Sequence, residues 1–111
     1  MNMANFRELD LSDSVFRNVR ATLCDFSDAK FLDTVWINNQ LTECRFLKTE
    51  LRGAITDRCD FSMSNMQDAD LRDGRFSESS FFSVQFLHAH IGGARFSECN
   101  LERTLLQDWS P

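Results

Sequence analysis

Every fifth residue of this chain, beginning with Phe6, is large and apolar, and this period constrains the fold more than any other feature. Twenty of the 21 residues in the register are apolar, and ten of the 11 phenylalanines fall in it. The exception is Thr56. We call this the central register. Its members are Phe6, Leu11, Phe16, Ala21, Phe26, Phe31, Trp36, Leu41, Phe46, Leu51, Thr56, Phe61, Met66, Leu71, Phe76, Phe81, Phe86, Ile91, Phe96, Leu101 and Leu106.

A second register lies two residues before the first, and most of its members are small. It contains alanine, serine, threonine, glycine and all four cysteines (Cys24, Cys44, Cys59 and Cys99). The other three residues of each five are mostly polar or charged. Two residues out of five, separated by one outward residue, therefore point into a shared interior.

A period of five fits neither regular element. Five residues advance by about 140° on an α-helix, so the phenylalanines would face every direction. On a flat strand an odd period would move each successive phenylalanine to the opposite face. A chain that turns in the same sense after each short extended segment does bury the pattern. The period therefore predicts a β-solenoid with an apolar axis.

Several five-residue blocks resemble the A(D/N)LXX unit of the pentapeptide repeat family. The clearest are Ala4-Asn5-Phe6-Arg7-Glu8, Ala69-Asp70-Leu71-Arg72-Asp73, Ala94-Arg95-Phe96-Ser97-Glu98 and Cys99-Asn100-Leu101-Glu102-Arg103. The repeats stay in phase from residue 4 to residue 108, within one domain spanning 1–111. The resemblance implies an all-β fold, a right-handed quadrilateral β-helix with four repeats per coil.

Residues 20 apart also match one another, which supports a 20-residue coil independently. Asn18 matches Asn38, Cys24 matches Cys44, and the tripeptide that begins at Phe76 recurs at Phe96. We expect about five coils, stacked at the ~4.8 Å spacing of β-strands.

The interior positions carry three expectations. The cysteines are expected to act as buried small hydrophobic residues, with a Cys24–Cys44 disulfide as the less favoured alternative. Asn39, the one amide in the small register, should pair with backbone groups of a neighbouring coil. Gly53, Gly92 and Gly93 fall at corners, where a positive φ is useful.

The chain carries no nucleophile, phosphate-loop or metalloprotease motif. His88 and His90 are the only histidines, and solvated side chains are preferred to a surface metal site. We therefore expect no catalytic residues, no cofactor and no metal, and hence no enzyme. The net charge of −5 argues against direct nucleic-acid binding, no apolar run is long enough for a membrane, and a cytoplasmic location is expected, with a fragment of a secreted effector still open.

Sorting outward residues into 20-residue columns places ten of the 17 acidic residues on one side. With Lys30, Lys48, Arg52 and Arg72, that region has a net charge of −6, whereas the remainder has +1. This candidate acidic face comprises Glu8, Asp10, Asp13, Asp28, Asp33, Glu50, Asp68, Asp70, Asp73 and Asp108. It is either a recognition surface or a solubilising one.

Two apolar features also face outward. Val15, Val35 and Ile55 share one column and form a candidate contact stripe. At the C-terminal end, a candidate dimer edge consists of Leu101, Leu105, Leu106 and Trp109. Leu105 takes a normally polar slot, and Trp109 takes a small one. An end-to-end homodimer is expected there.

Two functions stay open. The first is a protein-binding scaffold with an unknown partner, since one fold serves many functions. The second follows from the resemblance alone: the best-known members of the family are acidic rods, usually dimeric, that mimic DNA and protect DNA gyrase and related topoisomerases from fluoroquinolones. This chain departs from them in its shorter rod.

Overall fold

A computed structural model describes residues 2–106 of the chain. These residues contain strands and turns but no helix. The seven strands have three residues each: β1 (Val15–Arg17), β2 (Arg20–Thr22), β3 (Val35–Ile37), β4 (Gln40–Thr42), β5 (Ile55–Asp57), β6 (Arg75–Ser77) and β7 (Arg95–Ser97).

The strands stack in parallel with an offset of 20 residues. One sheet has the order β1-β3-β5-β6-β7, and a second pairs β2 with β4. Val15 pairs with Val35, and Val35 pairs with Ile55. Isolated bridges continue the same offset on the other sides, as from Asp10 to Lys30. The predicted β-solenoid of four repeats per coil and about five coils is therefore confirmed.

We name the four sides by their central residues in chain order. Side A carries Phe16 and the five-stranded sheet, side B carries Ala21, side C carries Phe26 and side D carries Phe31. A corner is named by the sides it joins, so the A–B corner follows side A. Position in the 20-residue coil therefore decides which outward residues share a surface.

Aromatic rings stack along the axis and fill the interior. On side C, Phe26 lies parallel to both Phe6 and Phe46, with 5.1 Å between ring centroids in each pair. Rings from different sides meet edge to face, as Phe46 does with Phe61 at 5.9 Å. Both geometries suit the quadrupole of an aromatic ring. The apolar axis expected from the central register is thus a continuous aromatic core.

In the part of the chain that the structure describes, the last residue of every repeat has a positive φ, which turns the chain at each corner. Nineteen of these residues are not glycine, and the others are Gly53 and Gly93. Seven of the nineteen are Asp or Asn, which tolerate the left-handed region. The expectation for Gly92 was wrong, because Gly92 lies one residue before the corner and has no positive φ.

Where an Asp or Asn precedes the central residue, its side chain closes the turn locally. Its side-chain oxygen accepts a hydrogen bond from the backbone N–H two residues later, as Asp25 does from Ser27 and Asn65 does from Gln67. Burial raises the pKa of Asp25, but the hydrogen bonds from Ser27 outweigh it, so the net shift is downward. This bond explains the D/N position of the repeat unit.

Polar members of the small register join successive coils. Asn39 donates a hydrogen bond to the carbonyl of Phe16 and accepts one from the N–H of Val19, as predicted. Ser64 likewise donates to the carbonyl of Leu41 and accepts from the N–H of Cys44. These side chains satisfy backbone groups that would otherwise be buried without partners.

All four cysteines belong to the described residues, and none forms a disulfide. Cys24, Cys44 and Cys59 are buried and Cys99 is partly buried. Burial raises the pKa of the Cys44 thiol to about 11 and also raises the pKa values of Cys59 and Cys99. The expectation of buried small residues agrees with this environment better than the disulfide alternative does.

Candidate protein-interaction surfaces

The candidate acidic face lies on side D and its two corners. Glu8, Asp28 and Asp68 occupy the C–D corner, Asp10, Glu50 and Asp70 lie on side D, and Asp13, Asp33 and Asp73 occupy the D–A corner. Asp108 lies outside the described residues. The six corner carboxylates have positive φ, so the backbone itself favours Asp at several of these positions.

Cations neutralise the middle of this face. The bridges place Lys30 between Asp10 and Glu50. Arg72 donates two hydrogen bonds to Asp70, at 2.9 and 2.7 Å, and this pairing lowers the pKa of Asp70. Side D itself carries three acidic residues against Lys30, Arg52 and Arg72. The remaining negative charge lies along the two corners, where residues 20 apart are separated by ~5 Å, but Lys48 interrupts the C–D carboxylates and Gly53 interrupts the D–A carboxylates.

The apolar stripe lies on side A, in the first position of three paired strands. Val15 is 55% exposed and Ile55 is 46% exposed, with Val35 partly buried between them. The same column continues with Arg75 and Arg95. The stripe is thus a surface feature that changes from apolar to cationic along the rod.

Sequence reasoning missed a second exposed apolar column, at the B–C corner. Met3, Leu23 and Met63 lie there and are exposed, all with positive φ. Phe82 lies nearby, with the guanidinium carbon of Arg103 at 5.6 Å from its ring centroid. Sorting every outward column by residue type, rather than by charge alone, could have found this feature.

A polar groove of about 700 Å³ follows the A–B corner and was also missed. Asn18, Asn38, Arg58 and Glu78 form one wall, and the outward residues of side B form the other. Asn38 donates a 2.7 Å hydrogen bond to Asn18. The groove is open and mixed in charge, and no residue-type pattern in the sequence marks a concave corner.

At the C-terminal edge, Leu105 is 73% exposed, whereas Leu106 is buried and Leu101 is partly buried. Trp109 lies outside the described residues. The edge predicted from Leu101, Leu105 and Leu106 therefore presents one exposed leucine beside two that pack on the core.

Within residues 2–106, every buried side-chain nitrogen or oxygen has a hydrogen-bond partner. No group of three His, Cys, Asp or Glu side chains in that part of the chain is placed to hold a metal ion. None of its segments is a helix long and apolar enough to cross a membrane. The interior polar groups are thus all committed to the fold.

The family model for pentapeptide repeats matches residues 4–31, 22–55 and 59–97, with eight copies. A comparison with curated protein sequences gives no significant match.

Solved structures share the fold at low identity. A pentapeptide repeat protein of the Arabidopsis thaliana thylakoid lumen aligns over 80% of this chain and 66% of its own, with 19% identity and a TM-score of 0.65. QnrB1, a plasmid-mediated fluoroquinolone resistance protein, aligns over 91% of this chain and 60% of its own, with 18% identity and a TM-score of 0.66. The chain thus spans about 60–66% of the length of these two proteins.

Proposed function

Because the chain belongs to the pentapeptide repeat family, we propose that it is a non-enzymatic scaffold that binds another protein through the outside of its rod. One observation carries this proposal: the buried polar side chains of residues 2–106 are all hydrogen-bonded within the protein. No interior group is therefore left to act on a substrate, and recognition falls to the outward columns. Those columns differ in charge and polarity from one side to the next, as a binding surface requires.

Site-specific photo-crosslinking in the host cell tests this proposal. One crosslinking residue is placed on each side in turn, at Arg52, Ile55, Ser80 or Gln85. A specific partner gives one discrete protein adduct from one side, or from two adjoining sides. Equal labelling from every side, or no adduct from any, contradicts the proposal.

A second candidate function is a DNA mimic that binds DNA gyrase and protects it from quinolones. The observation that favours it is the set of carboxylates along the C–D and D–A corners, together with the similarity to QnrB1. Negative charge along the rod would compete with DNA for a cationic surface on a partner.

A gyrase supercoiling assay, with and without a quinolone, separates the two functions. The scaffold function predicts no change in supercoiling or in quinolone inhibition. Dose-dependent protection would instead establish the gyrase function, and Asp28→Asn with Asp68→Asn should then weaken it. The matched control is Glu78→Gln with Glu98→Gln, which removes the same charge at the A–B corner.

The end-to-end homodimer expected from the sequence is one arrangement of two copies, and it would double the length of the rod. Its support is the exposure of Leu105 at the C-terminal edge. Leu105→Glu changes only this exposed side chain, so it tests the edge more cleanly than a change at the buried Leu106. An end-to-end interface predicts that light scattering reports a monomer for this variant and a dimer for the wild type, whereas an interface elsewhere on the rod leaves both dimeric. A variant that is still dimeric contradicts the end-to-end arrangement.

A further inference from the structure

The outward columns of side A and of the D–A corner both change character along the rod. The side A column is apolar in the first three coils and becomes Arg75 and Arg95 in the last two. These arginines are exposed and directly in register. Neither forms an ion pair with a carboxylate among residues 2–106. Two stacked like charges therefore stand unneutralised beside an apolar stripe.

The adjoining D–A corner column consists of Asp13, Asp33, Gly53, Asp73 and Gly93 in chain order, so two of its three carboxylates lie in the first two coils. Its first two members, Asp13 and Asp33, are exposed carboxylates beside the apolar stripe, and its last member is Gly93. The middle coil has Gly53 at the corner. Carboxylates thus flank two of the three apolar coils, whereas arginines occupy the other end of the rod, where Asp73 is the one corner carboxylate.

We propose that side A is a self-complementary surface on which a second copy of this chain packs, with its rod antiparallel and a two-fold axis at Ile55. In this arrangement the first coil of one copy faces the fifth coil of the other. The aliphatic part of Arg95 lies on Val15 of the second copy, and its guanidinium reaches Asp13 there. In the same way, Arg75 lies on Val35 of the second copy, and its guanidinium reaches Asp33 there. The exposed Ile55 packs on Ile55 of the second copy.

The same rotation pairs the other charged columns of this surface. Arg17 of the first coil faces Glu98 of the fifth, and both are exposed. At the two-fold level, Asp57 adjoins Arg58 of the second copy; within one chain these two residues already lie 3.4 Å apart. Opposite charges at each level favour one register over others.

The rotation also brings like charges together, because Asp33 faces Asp73 at two levels and Asp57 and Arg58 each face their own counterpart at the two-fold level. Asp73 of one copy faces Asp33 of the other. Arg75, from the same copy as Asp73, lies between the two carboxylates. Packing with the rods parallel would instead place Asp73 over Glu78 of the second copy, while Arg75 would face Ser77. The parallel arrangement also pairs opposite charges, such as Arg95 with Glu98 of the second copy, so the crosslink at Ile55 rather than charge separates the two arrangements.

The size of side A limits the area that the contact can bury. The molecule measures 33 × 25 × 23 Å, so one side can bury roughly 600–800 Å² per copy, near the lower limit of stable interfaces. We expect a reversible dimer at micromolar concentrations. Glu8, Asp28 and Asp68, at the C–D corner, stay exposed in it.

Charge reversal with rescue tests the pairing. At about 100 µM the wild type should sediment as a dimer, and Arg75→Glu with Arg95→Glu should sediment as a folded monomer. Adding Asp13→Arg and Asp33→Arg should restore the dimer, and arginine already occupies corners with positive φ at Arg58 and Arg103. The matched control, Arg7→Glu with Arg45→Glu on side C, should stay dimeric. A monomeric wild type, or a folded fourfold variant without rescue, overturns the proposal.

Disulfide trapping locates the two-fold axis. In a Cys99→Ser background, Ile55→Cys should crosslink two copies on mild oxidation, because the position meets its own counterpart. Leu87→Cys, on side C and of similar exposure at 47% against 46%, should give no comparable crosslink. Crosslinking from Leu87→Cys but not from Ile55→Cys would contradict the interface. Loss of the dimer in Leu105→Glu would assign it to the C-terminal edge instead.

Discussion

Phe46 lies in the middle of the aromatic stack and is fully buried. Its ring is parallel to Phe26 and meets Phe61 edge to face. Phe46→Ala should lower the free energy of unfolding by about 3–5 kcal/mol, because coils on both sides keep the cavity open. The control is Phe82→Ala, the one phenylalanine outside the register, which should cost about 1 kcal/mol. Equal thermal midpoints for the two variants would contradict the core assignment.

The thiols provide a second residue-scale prediction. Because burial raises the pKa values of Cys44, Cys59 and Cys99, all three should react slowly with a thiol reagent in the native protein and fast after denaturation. Rapid native labelling of Cys59 would mean that the small register does not point inward.

The same pKa shift gives the protein a pH dependence at high pH. The Cys44 thiol has a pKa of about 11 in the fold against an ordinary value of 9.0. Between these values the unfolded chain ionises and the folded chain does not, so the free energy of unfolding should fall as the pH rises through that window. Cys44→Ser should reduce this dependence in urea titrations at pH 8 and pH 10.

Which residues point inward could be predicted from the sequence, but their local adjustments could not. Thr56 is the one polar member of the central register, and it is buried with its hydroxyl 3.4 Å from that of Ser79. A Cβ at Gly74 would lie 2.6 Å from the ring of Phe76, so this ring occupies the space beside the glycine. Such compensation depends on side-chain conformation, which periodicity does not encode.

At the scale of the element, Asn39 substitutes for the backbone hydrogen bonds that close other corners. Asn39→Leu would leave the carbonyl of Phe16 and the N–H of Val19 unpaired. We expect a loss of at least about 2 kcal/mol in the free energy of unfolding, measured by urea denaturation. Asn5→Ala, which removes one exposed hydrogen bond to Arg7, should cost less than about 1 kcal/mol. Equal losses would contradict the bridging role.

The corners show where sequence reasoning was incomplete. Glycine is the residue usually expected at positive φ, and only Gly53 and Gly93 match that expectation. Leu23, Met63 and Lys48 adopt the same conformation. Parallel backbone hydrogen bonds on both sides hold these residues in place, so tertiary structure overrides their local preference. A residue-by-residue propensity therefore cannot identify the corners, whereas the period of five can.

At the scale of the whole molecule, the 20-residue columns predicted which side carries each outward residue, and the described members of the acidic face and of the apolar stripe lie on those sides. The columns could not predict which charged side chains form ion pairs. Arg72 neutralises Asp70, and this contact depends on a side-chain conformation rather than on position in the repeat. The function of the acidic face and of the stripe therefore stays a prediction, since position on a surface does not identify a partner.

The central claim is that the five-residue period of the sequence is also the period of the backbone hydrogen bonds. Amide hydrogen exchange by NMR tests it most directly. In the inner coils the amides of Phe26, Phe31, Leu41, Phe46 and Phe61 donate to carbonyls of the next coil, so they should be among the slowest to exchange. Amides such as Ser27 and Ser62, held only by a neighbouring Asp side chain, should exchange much faster. Protection that repeats every five residues is the predicted result, and protection with a helical period, or with no period, would contradict the account.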